Sequence, residues 1–394
     1  MNLKYAILVG DGMADNPIPE LDNKTPLQYA NTPNMNRIAQ NGKSGKVATI
    51  PPGLPPGSDV ANLSLMGYDS KKYYTGRAPL EAASMGVKLS HNDTAFRCNL
   101  VTIDNDTMID YSAGHIVTAT AHLLIHELSN NLQLGSSRLF PGVSYRHLLV
   151  IPDFPDELVC TPPHDILGQK TAPYLPKGPG EQIILEFHKQ ARSILAKSEI
   201  NKKRVSEGNS PVTDIWLWGH GHSISLPTLQ DRYRLTGSVI SAVDLIRGIG
   251  VLAGLNNRIV EGATGYLGTN YKGKVKAAQN ALASEDFVFL HVEAPDETSH
   301  EGSLQKKIQA IEEFDKEVVG EMLQYQLQTK NLRLLVTPDH ATPLAMRTHA
   351  TQPVPYTMSG PGIENDTVQL YNEFVTSQLP VLTGPQLFDH FIKG

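Results

Sequence analysis

The chain is short of most features that would fix its class at once. Only two cysteines, Cys98 and Cys160, stand in 394 residues. That count excludes a disulfide scaffold and suits a reducing compartment. Charge of one sign is scarce too: 34 Lys and Arg against 40 Asp and Glu give a formal net charge of −6. A duplex partner normally needs a basic face, so no nucleic-acid partner is expected. No apolar run approaches the ~20 residues needed to cross a bilayer, so no membrane partner is expected. The opening MNLKYAILVGDGMAD has a short apolar run and then glycine and acid. It does not read as a signal peptide. A cytoplasmic protein is expected. What is present is ordinary globular material, 40% hydrophobic and 19% charged. The length points to two domains, or to one α/β domain with a large insertion.

Tyr5-Ala-Ile-Leu-Val-Gly10 reads as a buried strand ending in the sharp turn Gly10-Asp11-Gly12. Continuous apolar runs of this length suit strands covered on both faces. Similar strands are expected at 214–218, 287–292 and 332–337. From Ser303 to Leu323, the residues Ile308, Ile311, Phe314, Val318 and Met322 recur every three or four positions, one apolar helical stripe facing a sheet. An apparent helix covers Val239 to Leu252. Strands alternating with amphipathic helices indicate a mainly parallel α/β sheet flanked by helices. Pro51-Pro-Gly-Leu-Pro-Pro-Gly57 is a rigid loop, and Asn201 to Pro211 reads as a polar surface connection. The span 76–234 is richer in isolated Pro, His and Gly. It is read as an inserted α+β cap domain, with 1–75 and 235–394 forming the discontinuous catalytic domain.

In an open α/β sheet, ligands bind at the carboxyl ends of strands. Asp11 follows the first strand. Asp296 and His300 follow 287–292, in His291-Val-Glu-Ala-Pro-Asp-Glu-Thr-Ser-His300. Asp339 and His340 follow 332–337, and His349 lies a little beyond. Each has an ordinary reading: an Asp after a strand often caps a helix, and Asp296 with His300 could simply decorate one helical face. Their joint placement at one sheet edge points instead to metal ions. Oxygen and imidazole donors suit Mn²⁺, Zn²⁺ or Mg²⁺, and paired ions ~3.5–4 Å apart serve displacement at phosphorus. Ser58 opens the helix-like stretch Val60 to Met66. It could be an N-cap, or a nucleophile where helix amides favour phosphate. Glu293, Glu297 and Glu301 are expected in solvent or behind the ligands.

In this order, Asp11, Ser58, Asp296-x₃-His300, Asp339-His340 and His349 resemble the alkaline-phosphatase superfamily. Gly76-Arg-Ala-Pro-Leu-Glu81, Asp110-Tyr-Ser-Ala-Gly114, Gly142-Val-Ser-Tyr-Arg146, Thr161-Pro-Pro-His-Asp165, Ala263-Thr-Gly-Tyr266 and Val292-Glu-Ala-Pro-Asp296 are similar to one branch. That branch is the archaeal-type cofactor-independent (2,3-bisphosphoglycerate-independent) phosphoglycerate mutases, and the likeness covers nearly the whole chain. It implies an alkaline-phosphatase-like fold and two divalent ions: manganese first, with Mg²⁺, Zn²⁺ or Co²⁺ as alternatives. No bisphosphoglycerate is implied. Asp296, His300 and His349 would hold one ion; Asp11, Ser58, Asp339 and His340 the other. Ser58 would accept the phosphoryl group of 3-phosphoglycerate and return it as 2-phosphoglycerate. Arg77, His115, Arg146, His164, Asp165 and His220 are candidate substrate-binding residues in the cap.

The chain departs from the branch in two places. It has Trp218-Gly-His-Gly-His222 where the pattern is tryptophan followed by Gly-Gln-Gly-Lys, and Gly268 where an acidic residue is expected. Both fall at loops expected to face substrate. This keeps two other readings open: a homoserine-kinase-like role and a phosphomonoesterase. A kinase needs a nucleotide pocket. The only Walker-like trace, Gly42-Lys43-Ser44, has Arg37 where the leading glycine belongs.

Overall fold

A computed structural model describes residues 2–155, 157–374 and 380–394. The chain divides into two compact units, 1–74 with 225–394, and 75–224.

The first unit is built on an eight-stranded sheet. Three neighbouring strands at its centre, in the order Leu332–Thr337, Lys4–Gly10 and Phe287–Val292, run parallel. All three read as apolar runs because helices cover both faces. Gly10 pairs with Val292 and Val9 with Thr337, so the three chains leave the sheet at one level. Gly237–Ile240 adds a parallel strand beside Phe287–Val292, while Val354–Ser359 pairs antiparallel with Leu332–Thr337. The stripe predicted from Ser303 onward exists. It spans Leu304–Glu313, a π-turn Phe314–Val319 and Gly320–Thr329. Ile311, Phe314, Val318 and Met322 pack with Leu8, Val288 and Leu334 in the core.

The second unit is an antiparallel sheet around the long strand Asp93–Asp104, flanked by Arg146–Pro152 and Asp214–His222. Its apolar core joins Phe96, Cys98 and Leu100 to helices Thr118–Asn131 and Glu181–Leu195.

Several local readings change. The 214–218 run is a strand, but of this antiparallel sheet and nine residues long. The polar segment after Ser198 is a helix, Glu199–Ser206, capped by the Ser198 hydroxyl and anchored by buried Asn201 and Arg204. Val239 to Leu252 is no single helix. Gly237–Ile240 is a strand and Asp244–Leu252 the helix that returns from it. Gly42–Ala48, with its Walker-like trace, is also a strand. Its Ser44 hydroxyl is buried against Thr357 at 2.9 Å, so no phosphate loop forms there. Among the described residues, no helix is long and apolar enough to cross a membrane.

Candidate metal centre and nucleophile

The three parallel strands deliver Asp11, the helix Ala294–His300 and the Asp339-His340 pair to one edge of the sheet. The helix starts at Ala294. Pro295 lies in its first turn, where a missing amide costs nothing. Asp296 and His300 therefore sit one turn apart on one face.

The first group is Asp296, His300 and His349. Asp296 Oδ2 lies 3.1 Å from His300 Nε2 and 3.5 Å from His349 Nε2. The two Nε2 atoms face each other at 3.1 Å. His300 Nδ1 lies 2.9 Å from the carbonyl of Arg347. That nitrogen must donate, so Nε2 is the atom that loses its proton when the ring is neutral and then serves as a ligand atom. Two imidazole Nε2 atoms and a carboxylate oxygen converge there, a donor set that could hold a cation.

The second group surrounds Asp11. His340 Nε2 lies 3.4 Å from Asp11 Oδ1, 3.4 Å from Asp339 Oδ2 and 3.1 Å from Ser58 Oγ. Ser58 is the first residue of the helix Ser58–Leu65. The residue before it, Gly57, has no side chain to cap the helix, and in the first turn the Val60 amide donates to Asp59 Oδ1 at 2.9 Å; the helix dipole there favours an anion. Asp339 is held by the Gly12 and His340 amides at 3.1 and 2.9 Å, and by Asn62 Nδ2 at 2.8 Å.

Thr342 joins the two groups. Its hydroxyl donates to Asp296 Oδ1 at 2.5 Å and accepts from His340 Nδ1 at 3.1 Å. Nε2 of His340 is thereby left as an acceptor. Sequence reasoning missed Thr342, Asn62 and also His291, which lies 3.3 Å from Asp11 Oδ2. A histidine within the otherwise apolar run of residues 287–292 was the available signal for His291. Thr342 and Asn62 carry none.

Electrostatics match a site made for cations. Burial, then the charges of Asp339 and Asp296, pushes the Asp11 carboxyl well above its ordinary range. Burial alone would raise Asp296 as well, but hydrogen bonds from His300 and His349 hold it well below. The bond to Asp296 lifts His300 to about 9. Burial lowers His340. Asp11 Oδ1 is buried without a hydrogen-bond partner. The donor atoms of Asp296, His300 and His349, and of Asp11, Asp296 and His340, lie within 4.8 Å of one another. This donor set fits divalent ions.

The second unit holds the other sequence candidates. Arg77 opens the helix Arg77–Ser84 and Arg146 opens the strand Arg146–Pro152. Both lie close enough to the buried Arg97 for their charges to act on it. Arg97, missed by sequence reasoning, pairs with Glu81 at 3.0 Å and lies over Trp218 at 4.1 Å. His164 contacts Trp218 and Tyr111 edge-on, and His115 contacts Tyr145. Asp165 is exposed beside His164, 3.6 Å away. His220 is not with them. It stacks on Phe96, on the apolar-core face of the strand, with ring centroids 5.0 Å apart. It lies within the strand Asp214–His222, not in a loop.

A mainly parallel α/β sheet thus brings carboxylates, imidazoles and a helix-initiating serine together at the ends of its central strands. Residues 39–201 match the family described as 2,3-bisphosphoglycerate-independent phosphoglycerate mutase. The protein of that name from Methanosarcina acetivorans is 51% identical over 356 residues, 90% of each chain. Two solved structures are similar throughout. One is the PH0037 protein from Pyrococcus horikoshii (TM-score 0.82, 28% identity, 100% of this chain and 98% of that one). The other is the cofactor-independent phosphoglycerate mutase from Thermoplasma acidophilum (TM-score 0.68, 27% identity, 99% of each). The chain belongs to the 2,3-bisphosphoglycerate-independent phosphoglycerate mutase family.

Proposed function

We propose that this chain interconverts 3-phosphoglycerate and 2-phosphoglycerate through a phosphoserine at Ser58, with neither bisphosphoglycerate nor nucleotide. The observation that carries the reading is the position of Ser58. Its Oγ lies 3.1 Å from His340 Nε2, within the ligand cluster and at an uncapped helix start. Asp296, His300 and His349 would hold one divalent ion, and Asp11, Ser58, Asp339 and His340 the other. Manganese suits these mixed oxygen and nitrogen donors. Bound there, the ions supply positive charge to the phosphoryl oxygens and acidify the serine hydroxyl.

The chain's own residues do the rest. Ser58 Oγ forms the new bond to phosphorus as the bond to the substrate oxygen breaks, and the serine proton ends on that departing oxygen, leaving phosphoserine and glycerate. The amides at the start of Ser58–Leu65 favour the transferred charge. In the second half, the other glycerate hydroxyl takes the phosphoryl group back and Ser58 is restored. Arg77 and Arg146 offer planar forks for the phosphate or carboxylate. His115, His164, Asp165 and His220 are further candidates, of which His164 and His115 stand in the same aromatic cluster. A cytoplasmic setting agrees with two free thiols.

Incubation with 3-phosphoglycerate, acid quenching and peptide mapping should place phosphate on Ser58, and Ser58→Ala should abolish turnover. Full activity in Ser58→Ala would sink the proposal.

A further inference from the structure

His291 has no part in the ligand sets assigned above. It is the fifth residue of the strand Phe287–Val292, fully buried, and neither ring nitrogen makes a hydrogen bond. Nε2 lies 3.3 Å from Asp11 Oδ2 and 4.0 Å from Asp339 Oδ2. Nδ1 lies 3.3 Å from Glu293 Oε1. Glu293 cannot turn away. It accepts from Lys274 Nζ and Ser241 Oγ, each at 2.7 Å, and from the Ala242 amide at 2.8 Å. Lys274 is itself fully buried and also holds the carbonyl of His291 at 2.9 Å.

One ring nitrogen thus faces a fixed carboxylate and the other faces two more. With Nδ1–H turned to Glu293, the Nε2 lone pair of the fully buried ring points at carboxylate oxygens. That arrangement is unfavourable unless a proton or a metal ion lies between them. The donor atoms of Asp11, His291 and Asp339 lie within 4.8 Å of one another, a spread that suits an ion bound at ~2.0–2.3 Å. A ligating histidine whose other nitrogen is held by a carboxylate is also the usual pattern around protein-bound metals.

We infer that His291 is a direct ligand, through Nε2, of the divalent ion held by Asp11 and Asp339, with Glu293 and Lys274 orienting its ring. The inference rests on the dimetal reading above. An imidazole among carboxylates selects manganese, zinc or cobalt over calcium.

Crystals grown with Mn²⁺ test it by anomalous diffraction. The expected result is a manganese peak shared by Asp11 and Asp339 and within ~2.0–2.3 Å of His291 Nε2. A peak on Asp11 and Asp339 but more than ~3 Å from that nitrogen overturns the inference and leaves the dimetal reading standing. No peak at either group removes the dimetal reading, and the inference falls with it. In solution, Mn²⁺ competition against a chelating dye should show two binding steps. His291→Ala should weaken one step by at least ~10–100-fold and leave the other unchanged. Glu293→Gln, which keeps the side-chain shape, should weaken the same step less. In a folded variant, a shift of neither step, or of both equally, contradicts His291 as a ligand.

Discussion

At the scale of single residues, Thr342 and His300 carry the sharpest consequences. Thr342 bridges Asp296 and His340 with one hydroxyl. Thr342→Val keeps the shape and loses both bonds. Activity titrated against Mn²⁺ should fall by about 10–100-fold in apparent metal affinity; an unchanged titration would show that the bridge does nothing. His300 is lifted to about 9 by its bond to Asp296. Its pKa is raised above the ordinary histidine value, so the pair stabilises the metal-free fold fully below about 6.5. That contribution is lost as pH rises through about 9. Metal binding needs the neutral ring. Near pH 7 the ion must therefore displace a proton, and metal affinity should rise with pH up to about 9. Calorimetry in two buffers of different ionisation enthalpy should detect the released proton; identical heats would refute it.

At the scale of elements, the turn after the first strand is what lets ligands meet. Gly12 has φ +61°, and a Cβ there would lie 2.5 Å from Asp296 Oδ1 and 2.6 Å from Thr342 Oγ1. Gly12→Ala should displace Asp296 and weaken metal binding, beyond the ~1–2 kcal/mol strain of a left-handed alanine. Wild-type metal affinity in the folded variant would contradict this. Lys307, fully buried in Leu304–Glu313, ties that helix to Asp15 at 2.8 Å and to the Thr342 carbonyl at 2.9 Å. Lys307→Ala leaves a buried carboxylate unpaired and should cost ~3–5 kcal/mol in urea unfolding. The central strands were legible because burial on both faces writes an apolar run into the sequence. Asp11, Asp296, His300, Asp339 and His340 were legible because they follow such runs. The strand Gly237–Ile240 was not, since a short apolar run before a helix has no period of its own. Asp214–His222 read as a strand but gave no sign of which sheet would take it. Glu199–Ser206 was hidden by its charges, and Thr342 and Asn62 acquire their roles only from contacts distant in sequence.

At the scale of the whole molecule, the first unit carries the ligand-bearing sheet edge and the second carries an arginine and aromatic cluster. Arg77, Arg97 and Arg146 are near one another in that second unit, an unusual concentration of positive charge that a phosphate or carboxylate would relieve. Its departure from the family pattern at His220 and His222 concerns a strand end and an apolar-facing ring, not the metal ligands. The central claim is therefore mutase chemistry without a carrier. The most direct measurement is an enolase-coupled assay on the purified, Mn²⁺-loaded protein with 3-phosphoglycerate and neither nucleotide nor bisphosphoglycerate. The account requires steady formation of 2-phosphoglycerate, lost in Ser58→Ala. Release of inorganic phosphate in its place, or turnover that appears only when bisphosphoglycerate or ATP is added, would contradict it.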